Sequence, residues 1–153
     1  AELLSEDSPR LVGFSEPMTC YVSALYFRES DPFADFVVDE AAHVFHNCKR
    51  RTVGLPHTRR KEWLLDIEFV KRETFAYSCE AYSRVLEMAR TPAERRALAD
   101  EFAADPWAID EHGLDMAEVS RLVVEASRAR NGWKVILAGC APERRKPAPR
   151  AIR

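Results

Sequence analysis

Two stretches of this sequence carry apolar residues at helical spacing, and that period is the tightest limit on what the chain can fold into. At about 100° per residue, Phe33, Val37, Ala41, Val44 and Cys48 fall on one side of a first helix. Phe75, Cys79, Tyr82 and Leu86 fall on one side of a second. Ser30-Asp31-Pro32 sets a capping residue before a proline, so the first helix is expected from about Pro32 to Arg50. Its last residues lead into Lys49-Arg50-Arg51, which suits the negative end of the helix dipole. The second is expected from about Asp66 to Arg90.

The remaining punctuation is mostly helical as well. Thr91-Pro92-Ala93-Glu94 is a capping box opening a third helix to about Ala104. Asp115 caps a fourth to about Arg130, closed by Asn131-Gly132. Trp133 to Cys140 is apolar and fits either a strand or a final helical turn. Met18 to Phe27, rich in β-branched and aromatic residues, is expected as a strand. Thr52 to Lys61 reads as a loop, Trp63-Leu64-Leu65 as a short extended piece and Asp105 to Gly113 as a connector. The first ten residues are polar and expected to fray. The fold class is therefore mainly α, an α+β arrangement with a small N-terminal edge strand or sheet. Residues 1–141 form one domain, and 142–153, with three prolines and a basic bias, form a disordered tail.

Composition excludes several function classes. At 153 residues the chain is one domain's worth and can bury a core without staples. A formal charge of −2 points to neither nucleic acid nor membrane, and no apolar run approaches the roughly 18 residues that span a bilayer. No signal peptide is visible at the start of the sequence. Cys20, Cys48, Cys79 and Cys140 show no CxxC spacing, which argues against a thiolate zinc site. Cys48 and Cys79, on apolar helix faces, are expected as buried thiols in a reducing, cytoplasmic compartment.

The chemistry sits on the other faces of the two helices. Asp39 and His43 are four residues apart and project together, and His46 can converge on His43. That spacing lets one rigid element supply two metal ligands, while a neighbouring carboxylate, Glu40, reaches the water that the metal activates. The second helix presents Asp66, Glu73, Tyr77, Glu80 and Arg84 in one stripe, a source of a third ligand and of a phenol for an oxyanion. The plain alternative is two solvated faces, the second laced by Glu73–Tyr77 and Glu80–Arg84 contacts. His57, beside Arg59-Arg60-Lys61, and His112, before Gly113, read as exposed and turn residues. Trp63, Trp107 and Trp133 read as core or rim aromatics.

Val38-Asp39-Glu40-Ala41-Ala42-His43-Val44-Phe45 resembles the HExxH helix of zincin metallopeptidases. Glu73-Thr74-Phe75-Ala76-Tyr77, followed by Glu80-Ala81-Tyr82, is similar to the second helix of gluzincins, above all the EFFAEAF-type segment of the anthrax-lethal-factor-like group. The strand before the first helix fits the edge strand such enzymes use for substrate. The resemblance covers roughly Thr19 to Leu86. It implies Asp39, His43 and Glu73 as metal ligands, Glu40 as general base and a peptide or protein as substrate, beside which Tyr77 of the second helix's stripe is the phenol expected on the oxyanion side. The motif departs at its first position, where Asp39 stands for histidine. Two carboxylates are harder ligands than imidazole, so manganese or iron joins zinc as a candidate, and a site that has lost its metal is the third possibility. Two rivals stand beside the hydrolase. One is a non-catalytic zincin-like domain that binds a peptide or protein, and the other is a helical interaction module using the basic runs at 49–51 and 59–61.

Overall fold

Helix α2, Asp66–Met88, is buried almost all the way round in its second half, and the other helices assemble on it. The computed structural model describes residues 13–16, 19–22, 31–48, 66–107 and 113–141. In order these form β1 Gly13–Glu16, β2 Thr19–Val22, α1 Phe36–Cys48, α2, α3 Pro92–Ala104, α4 Met116–Arg128 and α5 Gly132–Gly139. The strands make an antiparallel hairpin, Phe14 opposite Tyr21, which packs against α1. The architecture is mainly helical, as the apolar period requires.

Two groups of apolar side chains hold the helices. Ala42, Phe75, Cys79, Tyr82, Leu122 and Ile136 join α1, α2, α4 and α5. Phe33, Val85, Phe102, Val119 and Val123 join α2, α3 and α4 to the turn before α1. Aromatic pairs add directionality: Phe33 meets Phe102 at 5.3 Å between centroids, and Tyr82 meets Trp133 edge-on at 4.8 Å. Each fully buried side chain of this size contributes about 1.5–3 kcal/mol.

The caps explain the boundaries. Thr91 Oγ1 accepts the Glu94 N–H at 3.2 Å, and Glu94 Oε2 reaches back to the Arg90 N–H at 2.7 Å, so α3 opens where its capping box places it. Asp115 Oδ1 accepts the Ala117 N–H at 3.0 Å and opens α4.

Three expectations need correction. α1 begins at Phe36, not Pro32. Asp31 Oδ1 takes the Phe33 N–H and its carbonyl takes the Ala34 N–H, so Asp31-Pro32 makes a turn, and Asp35 caps the helix through the Val38 N–H at 3.2 Å. Asn131-Gly132 does not close α4 but opens α5, with Asn131 Oδ1 accepting the Lys134 N–H. α4 needs no glycine stop, because Arg95 on α3 donates to the carbonyls of Ser127 and Ala129 at its end. Trp133 to Cys140 is accordingly helical rather than a strand.

The third correction concerns the face α1 buries. Val37 is 47% exposed and Ala41 is exposed, whereas Glu40 and Ala42 are buried. Phe33, counted into the period, precedes the helix, and α1 is rolled so that part of its polar stripe meets α2. Phe75, Cys79 and Tyr82 are buried as the period of α2 demands, with Leu86 packed at their edge. Residues 1–10, 23–27, 52–61, 63–65 and 142–153, with His57, His112 and the basic runs, lie outside the described residues, as do the side chains of His46, Cys48 and Asp66. Among the described residues no helix is long and apolar enough to cross a membrane.

Gly132 packs under Tyr82, and a Cβ there would meet the Tyr82 hydroxyl and stand 2.6 Å from the backbone oxygen of Ala126. Gly132→Ala should therefore destabilise the chain by about 1–3 kcal/mol in urea unfolding, despite the better helix propensity of alanine. Gly139→Ala, whose Cβ meets only the tip of the Leu122 side chain, should cost less. Equal losses at the two positions would contradict this packing.

Candidate functional site

α1 and α2 cross in opposite senses, because Asp35 meets Glu80 near one end of the shared seam and His43 meets Glu73 near the other. Ala42 and Ala76 lie buried between them, small enough for the two helices to approach closely. The period of α1 then turns Asp39 and His43 towards the stripe of α2 that carries Glu73 and Glu80.

His43 is the centre of this contact. Its Nε2 lies 3.5 Å from Asp39 Oδ2 and 3.4 Å from Glu73 Oε2. The three side chains are only 12%, 15% and 18% exposed, so this is not a solvated polar face. Burial by itself lowers the pKa of His43, but the hydrogen bond and charge of Asp39 and the charge of Glu73 outweigh it, and the net shift is upward. Arg72 touches the far oxygen of Glu73 at 3.4 Å. Asp39 Oδ1 and His43 Nδ1 are buried and make no hydrogen bond among the described residues.

The structure thus brings together Asp39, His43 and Glu73. Glu40, next along α1, is buried at 5% exposure. Tyr77 is only half-buried and turns towards a different neighbourhood, its ring 5.9 Å from that of Trp107 at the edge of the second apolar group. Among the described residues no three His, Cys, Asp or Glu side chains surround a common centre able to hold an ion, since the carboxylates converge on the imidazole itself.

Glu80 is the residue that helical spacing misjudged. Its expected partner Arg84 turns instead to the Pro32 carbonyl, at 2.9 Å, and to Glu87. Glu80 is 1% exposed, and its Oε1 accepts the Asp35 N–H at 2.6 Å. Burial, then the charge of Asp39, pushes its carboxyl up to about 9 against the opposing pull of that N–H, with Asp35 and Asp31 adding smaller repulsions. Its position seven residues beyond Glu73, on the same face, was the available sequence signal. Cys79 and Cys140 are buried free thiols, and burial raises both, Cys140 to about 12.

Further round α1 lies an apolar groove of about 350 Å³, walled by Val38, Ala41 and Phe45 of α1, Phe75 of α2 and Trp133 and Leu137 of α5. Phe45 stacks on Phe75 at 5.8 Å. No family model matches the chain, and no curated protein and no solved structure is detectably similar to it.

The raised carboxyl of Glu80 fixes a pH dependence. Below the unfolded value of 4.5 the group is protonated folded and unfolded; between there and about 9 only the unfolded chain ionises, which draws stability from the fold as pH rises. In metal-free chain, Glu80→Gln should match the parent in urea unfolding at pH 4 and become progressively more stable than it towards pH 8, by up to about 1.4 kcal/mol per pH unit. A gap between the two proteins that stays constant with pH would contradict the buried, neutral Glu80.

Proposed function

We propose that this chain is a zincin-like, metal-dependent hydrolase acting on peptide bonds, in which Asp39, His43 and Glu73 hold a divalent cation. The observation that carries the reading is the approach of His43 Nε2 to within 3.5 Å of carboxylates from two different helices. It matches, residue for residue, the ligand set implied by the likeness of the Asp39 to His43 segment to HExxH. The electrostatics fit a cation too. Asp39 and Glu73 crowd one imidazole, and the upward shift of His43, against the opposing effect of burial, registers their negative charge. The buried Asp39 Oδ1 and His43 Nδ1, each without a hydrogen bond among the described residues, offer further donor capacity.

A divalent cation held there would supply Lewis-acid polarisation of the scissile carbonyl and make water acidic enough to attack it near neutral pH. Glu40, buried beside Asp39, is the base that takes the proton from the attacking water and returns it to the leaving amine. Tyr77 is the phenol assigned to the carbonyl oxygen as charge develops, which requires its hydroxyl to reach past the ring contact with Trp107. The two carboxylate ligands favour harder ions than a histidine-rich set does, so zinc, manganese and iron are the metals to compare. Free thiols at Cys79 and Cys140 fit a reducing, cytoplasmic setting, with a peptide or protein as the partner and no role for membrane or nucleic acid.

Titration of metal-free chain with zinc should give one equivalent bound. His43→Ala and Glu73→Ala should each weaken it on the order of 100-fold, at or beyond the upper end of what outer partners of a metal contribute. Glu40→Gln should keep the zinc and lose peptide hydrolysis. Asp39→His, a softer ligand, should tighten zinc. Absence of zinc from the parent, or undiminished affinity in Glu73→Ala, would overturn the assignment and leave a peptide-binding domain as the better reading.

A further inference from the structure

We infer that Glu80, which lies outside the proposed ligand set, is the positioning residue of this site: by holding the backbone N–H of Asp35 it fixes the register at which α1 presents His43 to Glu73. The inference rests on the site just proposed and goes beyond it, because the proposed ligand and catalytic set leaves Glu80 without a role.

The geometry is that of two pins on one seam. At one pin, Glu80 Oε1 takes the Asp35 N–H at 2.6 Å. Asp35 is the residue from which α1 starts: its carbonyl accepts the N–H groups of Val38 and Asp39 at 2.9 and 3.0 Å, and its carboxylate accepts Val38 again. At the other pin, His43 Nε2 meets Glu73 Oε2. Asp35 to His43 spans about 12 Å of helix and Glu73 to Glu80 about 10.5 Å, so the pins lie at the two ends of nearly matched lengths. Between α1 and α2 lie the small buried side chains of Ala42 and Ala76, and Phe45 stacks on Phe75, apolar contacts that are less directional than the two polar pins. A slip of one residue would turn α1 by about 100° and carry Asp39 and His43 away from Glu73.

The segment that leads into α1 is tied to the same region. Arg84, one turn beyond Glu80 on α2, donates to the Pro32 carbonyl, and Trp107 Nε1 donates to Asp31 at 2.9 Å. The start of α1 is therefore fastened by polar contacts to α2 and to Trp107 beyond the end of α3, and Glu80 contributes through the backbone of the residue that caps the helix. Since burial keeps this carboxyl neutral at physiological pH, glutamine is its close mimic and an apolar residue is not.

The test compares Glu80→Gln with Glu80→Leu, and with Glu80→Met should the leucine chain not fold, with helicity followed by circular dichroism. Two readouts are taken: zinc affinity, and, in the zinc-free chain, the nuclear Overhauser effect between the His43 ring and the Glu73 side chain. Glu80→Gln should keep the Overhauser contact and bind zinc within about threefold of the parent, whereas the apolar variant should lose the contact and bind at least about tenfold more weakly. An apolar variant that keeps both contact and affinity overturns the inference, as does a glutamine variant that loses both. If the parent takes up no zinc while the Overhauser contact still follows this pattern, the metal reading falls and the positioning role stands.

Discussion

Everything distinctive in this structure depends on polar groups buried along the seam between α1 and α2. Most helix pairs bring apolar stripes together. Here the apolar contacts of Ala42, Ala76 and the Phe45–Phe75 stack share the seam with an imidazole set against carboxylates towards one end and a buried carboxyl towards the other. Taking ionisable groups out of water is unfavourable by several kcal/mol each unless partners compensate. The compensation is visible: His43 stands against two carboxylates, and Glu80 against a backbone N–H. It is also incomplete, since burial, and then the charge of Asp39, leaves the Glu80 carboxyl raised despite that N–H. Clusters that hold ionisable groups in such shifted states concentrate at sites that bind ions or move protons.

The roll of α1 follows from that seam. With Asp39 and His43 turned inwards, Val37, Ala41 and Phe45 are left on the outside, and the apolar groove against Trp133 and Leu137 opens beside them. The second apolar group, around Phe102 and Val123, holds α3 and α4 against α2. The apolar groups thus form a scaffold on which α2 carries the candidate site.

How much of this was legible in the sequence differs from element to element. Thr91 and Asp115 marked the starts of α3 and α4 because a cap is a local hydrogen bond, made by residues two or three apart. The pairing of Asp39 with His43 was legible for the same reason. The reach of Glu73 to His43 was not, because helical spacing orders residues within a helix and says nothing of which helix they face; only the likeness to HExxH and its partner helix implied it. The buried face of α1 was misread because Phe33 extended an apolar period beyond the helix that carries it, and Glu80 was misread because a carboxylate four residues before an arginine looks solvated. Asn131-Gly132 can end one helix or begin the next, and the choice was made far away in sequence by Arg95.

Asp39 is the residue on which the proposed chemistry turns, because it stands where the motif it resembles has histidine and its Oδ2 lies 3.5 Å from His43 Nε2. The most direct test of the account is zinc X-ray absorption on the chain loaded with one equivalent of the metal. The account predicts a first shell of nitrogen and oxygen at about 2.0–2.1 Å with a single imidazole. A shell containing sulfur at about 2.3 Å, or more than one imidazole, would contradict it by placing the metal away from Asp39, His43 and Glu73.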